Sequence, residues 1–143
     1  NSLGDALKGA AVLDVFAGTG AVGIEALSRG AASAVLVEKD RIAQRCIAGN
    51  IAALRIPNAQ LIKTTVSNWL DTYTGDRFDI IFADPPYYDT QKATVARLVN
   101  ILKPGGVLVV SWPEKEDAPE ISTLRIVFER VYAGAKIIMY EFA

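Results

Sequence analysis

Short apolar runs alternating with segments of helical spacing leave this chain little choice of architecture. Ala11 to Phe16 reads as a first strand, followed by a glycine-rich turn and a helix from about Ala21 to Ser28 that Gly30 stops in the C-cap role. Ala34 to Val37 is a second strand. Asp40 can cap a helix running to about Leu54, with Ile42, Cys46, Ile47, Ile51 and Leu54 on its buried side and Pro57 closing it. Leu61 to Lys63 is expected as a third strand, Ser67 to Tyr73 as a short helix and Phe78 to Ala83 as a fourth strand. Gln91 to Leu102 reads as a helix with Thr90 as its cap, and Pro104-Gly105-Gly106 turns the chain into a fifth strand, Val107 to Ser111. The pattern then changes. Leu124 to Tyr132 and Lys136 to Phe142 are β-rich with only Ala133-Gly134-Ala135 between them, which reads as a hairpin. Repeated βα units require a mostly parallel sheet with helices on both faces, and the final hairpin inserts an antiparallel strand. The expectation is an α/β fold.

The 143 residues suffice for one buried core, so a single domain over 1–143 is expected. At 51% apolar and 22% charged residues, the chain is neither a disordered tail nor a coiled coil. With no histidine and one cysteine, Cys46, it cannot build a disulfide, a Cys/His zinc site or a Ser-His-Asp triad, and no metal is expected. A net charge of -1 supplies no global positive field for nucleic acid. No apolar run reaches the roughly 18 to 20 residues of a membrane span, and residues 1 to 15 lack signal-peptide regions. A cytoplasmic location without membrane association is expected, in keeping with the unpaired Cys46. Because the chain starts at Asn1 without a methionine, a fragment of a longer protein is also expected.

Gly18-Thr19-Gly20-Ala21-Val22-Gly23 satisfies G-x-G-x-x-G at a strand-to-helix junction, where absent side chains admit a ligand to the backbone. The same glycines could serve only a tight turn. Glu38 stands at the expected end of the second strand, 18 residues after Gly20, where a carboxylate can accept bonds from both ribose hydroxyls of a nucleoside. Dinucleotides and S-adenosylmethionine both use this arrangement. Asp14 helps to separate them: a carboxylate four residues before the first glycine would repel a pyrophosphate but could meet the ammonium group of a methionine moiety. Asp14 could instead cap its own turn.

Asp84-Pro85-Pro86-Tyr87 closes the fourth strand at the carboxyl edge of the sheet, where open α/β folds place ligands. The prolines fix the backbone, so the Pro85 carbonyl and the Asp84 carboxylate form a rigid pair of acceptors suited to a planar amino group. Such a nitrogen is a poor nucleophile because its lone pair is delocalised. Two acceptors can draw it out of plane and turn the lone pair toward a sulfonium methyl, while Tyr87 offers a stacking face worth about 1–3 kcal/mol. A rigid turn without chemistry is the alternative.

Asp14 to Ala31, Val37-Glu38-Lys39 and Phe78 to Tyr87 together resemble the RsmD-type bacterial methyltransferases. The resemblance implies a Rossmann-like class I methyltransferase, with a seven-stranded sheet and an antiparallel last strand. The implied activity is transfer of a methyl group from S-adenosyl-L-methionine to the exocyclic N2 of a guanine in small-subunit ribosomal RNA. It implies Asp84, Pro85, Pro86 and Tyr87 as the catalytic set. Cofactor contacts are expected from Asp14, Phe16, Gly18, Thr19, Gly20, Glu38 and Asp84, and from Thr65 and Val66 beside the adenine. The expected partner is small-subunit ribosomal RNA or the immature small ribosomal subunit, and the expected state is a monomer. An upstream RNA-binding segment of the family is absent from 1–143. Asp-Pro-Pro-Tyr also serves other amines, so adenine in DNA or RNA and protein glutamine are alternative substrates. A dinucleotide-dependent oxidoreductase and a cofactor-binding fragment without turnover are further alternatives.

Overall fold

The computed structural model describes residues 2–143. Seven strands form one sheet: β1 (Ala11–Val15), β2 (Ser33–Val37), β3 (Ala59–Ile62), β4 (Phe78–Ala83), β5 (Leu102–Pro113), β6 (Leu124–Tyr132) and β7 (Ala135–Phe142). Their order is β3-β2-β1-β4-β5-β7-β6. β1 to β5 pair in parallel, and β7 runs antiparallel between β5 and β6. This is the α/β sheet with a closing antiparallel hairpin that the sequence predicts. Because β1 lies between β2 and β4, the connections leave it in opposite directions, and the carboxyl ends of these strands open onto one crevice.

Among the described residues α1 (Ser2–Leu7) precedes β1, and four α-helices connect the strands: α2 (Ala21–Ser28), α3 (Arg41–Ala53), α4 (Val66–Thr72) and α5 (Lys92–Arg97). Strand alternation divides the apolar residues between the two faces. Val12, Leu36 and Ile80 pack with Leu7, Ala26 and Ile47 of α1, α2 and α3. On the other face Leu13, Val37 and Ile81 meet Val66 and Trp69 of α4 and Val95 of α5. Trp112 and Tyr140 extend that second core under the loop before β6, where their polar ends donate to the carbonyls of Asp117 (3.0 Å) and Pro119 (2.7 Å). No helix of the described residues is long and apolar enough to cross a membrane.

Three expectations need correction. α3 buries Ile47 and half-buries Ala43 and Ile51, whereas Ile42 is 71% exposed, Leu54 is 62% exposed and Cys46 faces outward. The stripes starting at 42 and at 43 both have helical spacing, and packing against β3 selects the second. The helix before β5 is shorter than its pattern, ending at Arg97 and tightening to a 3-10 turn over Leu98–Ile101, so that β5 begins at Leu102. Its cap position is Gln91 rather than Thr90, with φ 51° and no side-chain cap bond. α1, which has only six residues, was not expected; docking of Leu7 against the sheet supports it, since an isolated helix of that length is unstable.

Candidate active site

The crevice at the carboxyl edge is a cleft of about 290 Å³. Of the residues singled out from the sequence, Phe16, Gly18, Glu38, Thr65, Val66, Asp84 and Pro86 line it. Pro85, which is buried, and Tyr87, 44% exposed, are not among the residues of its wall. Asp14, Thr19 and Gly20 do not form its wall.

The glycine turn is shaped by close packing. Gly20 has φ 81°, and a Cβ there would lie 2.9 Å from Cγ1 of Ile47. At Gly23 a Cβ would press on Leu36 and on Oδ2 of Asp14, so glycine lets α2 settle close to β1 and β2. Asp14 occupies the space so formed. Its Oδ2 accepts the Gly23 N–H at 3.0 Å, and the residue is 3% exposed. Burial pushes its carboxyl from 3.8 up to about 7; the Gly23 bond opposes this, while the negative charges of Asp84 and Glu38 add to it.

Glu38 ties the walls of the cleft together. Oε1 accepts the Gly18 N–H at 2.7 Å, and Oε2 accepts the Asp40 N–H at 2.9 Å. A carboxylate has about four lone-pair sites, so both oxygens keep capacity for hydroxyls of a ligand. Asp40 then caps α3 by accepting the Ala43 N–H at 2.9 Å, and the Gln44 amide donates to the Glu38 carbonyl at 2.9 Å. Thr65 caps α4, its Oγ1 accepting the Asn68 N–H at 3.1 Å. With that hydroxyl committed, Thr65 offers the cleft mainly backbone, beside the apolar surface of Val66 and Val37.

Asp84 faces the cleft from the end of β4, and its carboxyl is raised above the usual range by the desolvating walls, against a lowering hydrogen bond from Ser111. The Ser111 hydroxyl also lies 3.0 Å from the Tyr87 hydroxyl. One side chain of β5 thus reaches both Asp84 and Tyr87, and a serine hydroxyl can donate to the first while accepting from the second. Sequence reasoning missed Ser111. Val37, Lys39, Thr64 and Gln91 of the lining were not among the expected contacts either. Phe16 and Gln91 both have left-handed backbones, with φ 58° and 51°, and both line the cleft. Such conformations are costly for residues with a side chain and concentrate at functional sites.

The family model described as Conserved hypothetical protein 95 matches residues 1–141. Ribosomal RNA small subunit methyltransferase D of Escherichia coli (strain K12) is 36% identical over 108 residues, covering 76% of this chain and 52% of that protein. The protein of the same name from Buchnera aphidicola subsp. Acyrthosiphon pisum is 38% identical over 97 residues, covering 68% and 49%. The chain thus spans about half the length of these curated relatives. Among solved structures, a conserved hypothetical protein from Streptococcus pyogenes superposes with a TM-score of 0.86 at 40% identity, covering 93% of this chain and 86% of that one.

Proposed function

This chain belongs to the Conserved hypothetical protein 95 family of RsmD-type methyltransferases, and we propose that its cleft binds S-adenosyl-L-methionine to methylate the exocyclic amine of a guanine in small-subunit ribosomal RNA. Its fold is the Rossmann-like class I methyltransferase fold. The observation that carries the reading is the excess of negative charge at the cleft: Asp84 and Glu38 line it against one cation, Lys39, and both raise the carboxyl of Asp14 behind the glycine turn. A pyrophosphate would meet repulsion there, whereas a ligand bearing a sulfonium and an ammonium would be attracted.

The residues fit that ligand. Glu38 can accept from its ribose hydroxyls, and Val37, Val66 and the backbone at Thr65 flank a flat apolar base. Asp14, behind the turn, would add negative charge toward the ammonium group once it is ionised, above about pH 7. When bound, the cofactor supplies a methyl group on sulfonium. Asp84 and the Pro85 carbonyl hold the two N–H groups of the guanine amine, and Tyr87 stacks on the base, fixing the nitrogen in line with the methyl group. Such positioning can supply roughly 7–11 kcal/mol of the barrier reduction. Transfer would exchange the C–S bond for an N–C bond, the electron pair staying with sulfur, while Asp84 and the Pro85 carbonyl keep the amine in place. The nitrogen becomes cationic and its proton passes to Asp84 or water. A carboxyl raised above its usual range is the better proton acceptor. The work takes place in the cytoplasm, on ribosomal RNA or the immature small subunit, with the protein as a monomer.

Calorimetric titration with S-adenosylhomocysteine and with NAD tests the cofactor assignment. The unaltered chain is expected to bind the former and not the latter. Glu38→Ala should weaken that binding about 10²-fold, because it removes charge-assisted bonds to ligand hydroxyls and frees the glycine turn at Gly18. Binding of NAD without S-adenosylhomocysteine would replace this reading with a dinucleotide enzyme.

A further inference from the structure

A second concavity lies beside the cofactor cleft, on the outer side of α3. Arg41, Gln44, Arg45 and Ala48 line it from the helix, and Lys63 lines it from the segment just after β3. All three cationic side chains are exposed, and no carboxylate among the described residues forms an ion pair with any of them. The nearest acids in sequence are committed elsewhere: Asp40 accepts the Ala43 N–H, and Glu38 accepts the Gly18 and Asp40 N–H groups.

This arrangement works against the fold. Arg41 and Arg45 are four residues apart on one helix face, a like-charge spacing that destabilises a helix. Arg41 also places a cation in the first turn of α3, which the helix dipole disfavours, beside a single acid at that end, the Asp40 cap. Lys63 brings a third positive charge to the same groove. Where three cations gather on one groove without an ion-pair partner among the described residues, a ligand of opposite charge is expected to neutralise them. Two guanidinium forks and an ammonium around one groove match phosphate oxygens, which arginine can grip with paired N–H donors.

We propose that the Arg41–Arg45–Lys63 groove holds the phosphodiester backbone of the RNA substrate, beside rather than within the catalytic cleft. The assignment rests on the methyltransferase reading above. Groove and cleft share a rim, since Lys63 precedes Thr64 and Arg41 follows Lys39 by two residues, and both Thr64 and Lys39 line the cleft. Asp84 follows β4 and Lys63 follows β3, three strand positions away across the sheet edge, a span of ~14 Å at ~4.8 Å per strand. One RNA element can therefore place a base at Asp84 and its flanking backbone in the groove. The groove also reconciles a nucleic-acid substrate with a net charge of -1: the attraction is local.

The test is binding of a protein-free transcript of small-subunit ribosomal RNA, measured at several salt concentrations with the unaltered chain and with R41Q/R45Q/K63Q. A variant with K8Q/K115Q/R125Q removes the same charge from other exposed positions. Losing three phosphate contacts should lower the slope of log affinity against log salt by about 2 and weaken binding at low salt about tenfold or more. The control variant should lose clearly less, and S-adenosylhomocysteine affinity should be unchanged in both, which verifies folding and an intact cleft. Equal RNA affinity and slope in the groove and control variants, or no RNA binding by the unaltered chain, would overturn the groove. Absence of S-adenosylhomocysteine binding would instead overturn the methyltransferase reading, leaving the RNA titration to decide the groove by itself.

Discussion

Asp84→Ala should lower the single-turnover rate of methyl transfer by about 10²- to 10³-fold, the usual loss when one positioned partner of a developing charge is removed. Cofactor affinity should change less than about threefold, under ~0.7 kcal/mol. The asymmetry follows from when the bond matters. Asp84 meets the amine most strongly as nitrogen leaves the plane of the base and acquires positive charge, so its contribution is larger in the transition state than in the bound state. Asp84→Asn keeps the shape and hydrogen-bonding length while removing the charge and the proton acceptor, and should lie between the two. Rapid-quench assays under saturating cofactor, paired with calorimetry, measure both quantities. An Asp84→Ala protein that loses the cofactor yet keeps its rate at saturation would refute this division of roles.

The second large effect concerns stability. Asp14 titrates near 3.8 when unfolded and at about 7 in the fold. Between those values the native state binds more protons than the unfolded one, so the Asp14 contribution to stability falls as pH rises through that window. Below it the penalty is absent; above about pH 7 it is complete, at most about 4 kcal/mol. Asp14→Asn removes the ionisation and leaves an amide oxygen to accept the Gly23 N–H, although its amide N–H groups then need partners in a buried site. The variant should be more stable than the unaltered chain by about 2 kcal/mol at pH 8 and should lose that advantage by pH 4. Denaturant midpoints at the two pH values measure the difference. The same substitution should weaken the cofactor, because the buried negative charge behind the turn is then gone. Greater stability with weaker binding is the pattern of a site maintained against the fold's own preference. Equal stability of the two proteins at pH 8 would contradict the burial of a charged Asp14.

The sheet was legible because its central strands are near-continuous apolar runs, as in Phe78 to Ala83, and because Gly20 and Gly30 mark the two ends of α2. The register of α3 was not, since two neighbouring stripes share helical spacing and only packing against the sheet distinguishes them. Glu38 and Asp84 were readable because both sit at strand ends, where topology alone brings them to one edge. Ser111 carries no such signal. Its approach to Tyr87 spans 24 residues and depends on the pairing of Ala83 with Val110, which no local pattern reveals. Gln91 was missed for another reason, and the strained backbone of Phe16, itself an expected contact, was equally unannounced: nothing in either residue type signals a left-handed conformation. The groove on α3 was equally hidden, because Lys63 joins Arg41 and Arg45 only once β3 is placed beside the helix.

The most direct measurement is the position of the transferred methyl group. This chain is incubated with tritiated S-adenosyl-L-methionine and a protein-free transcript of small-subunit ribosomal RNA, and the RNA is digested to nucleosides and resolved by mass. The account predicts label on the N2 of a guanine, lost in Asp84→Ala. Label on adenine or on protein, or no transfer by a chain that binds the cofactor, would contradict it.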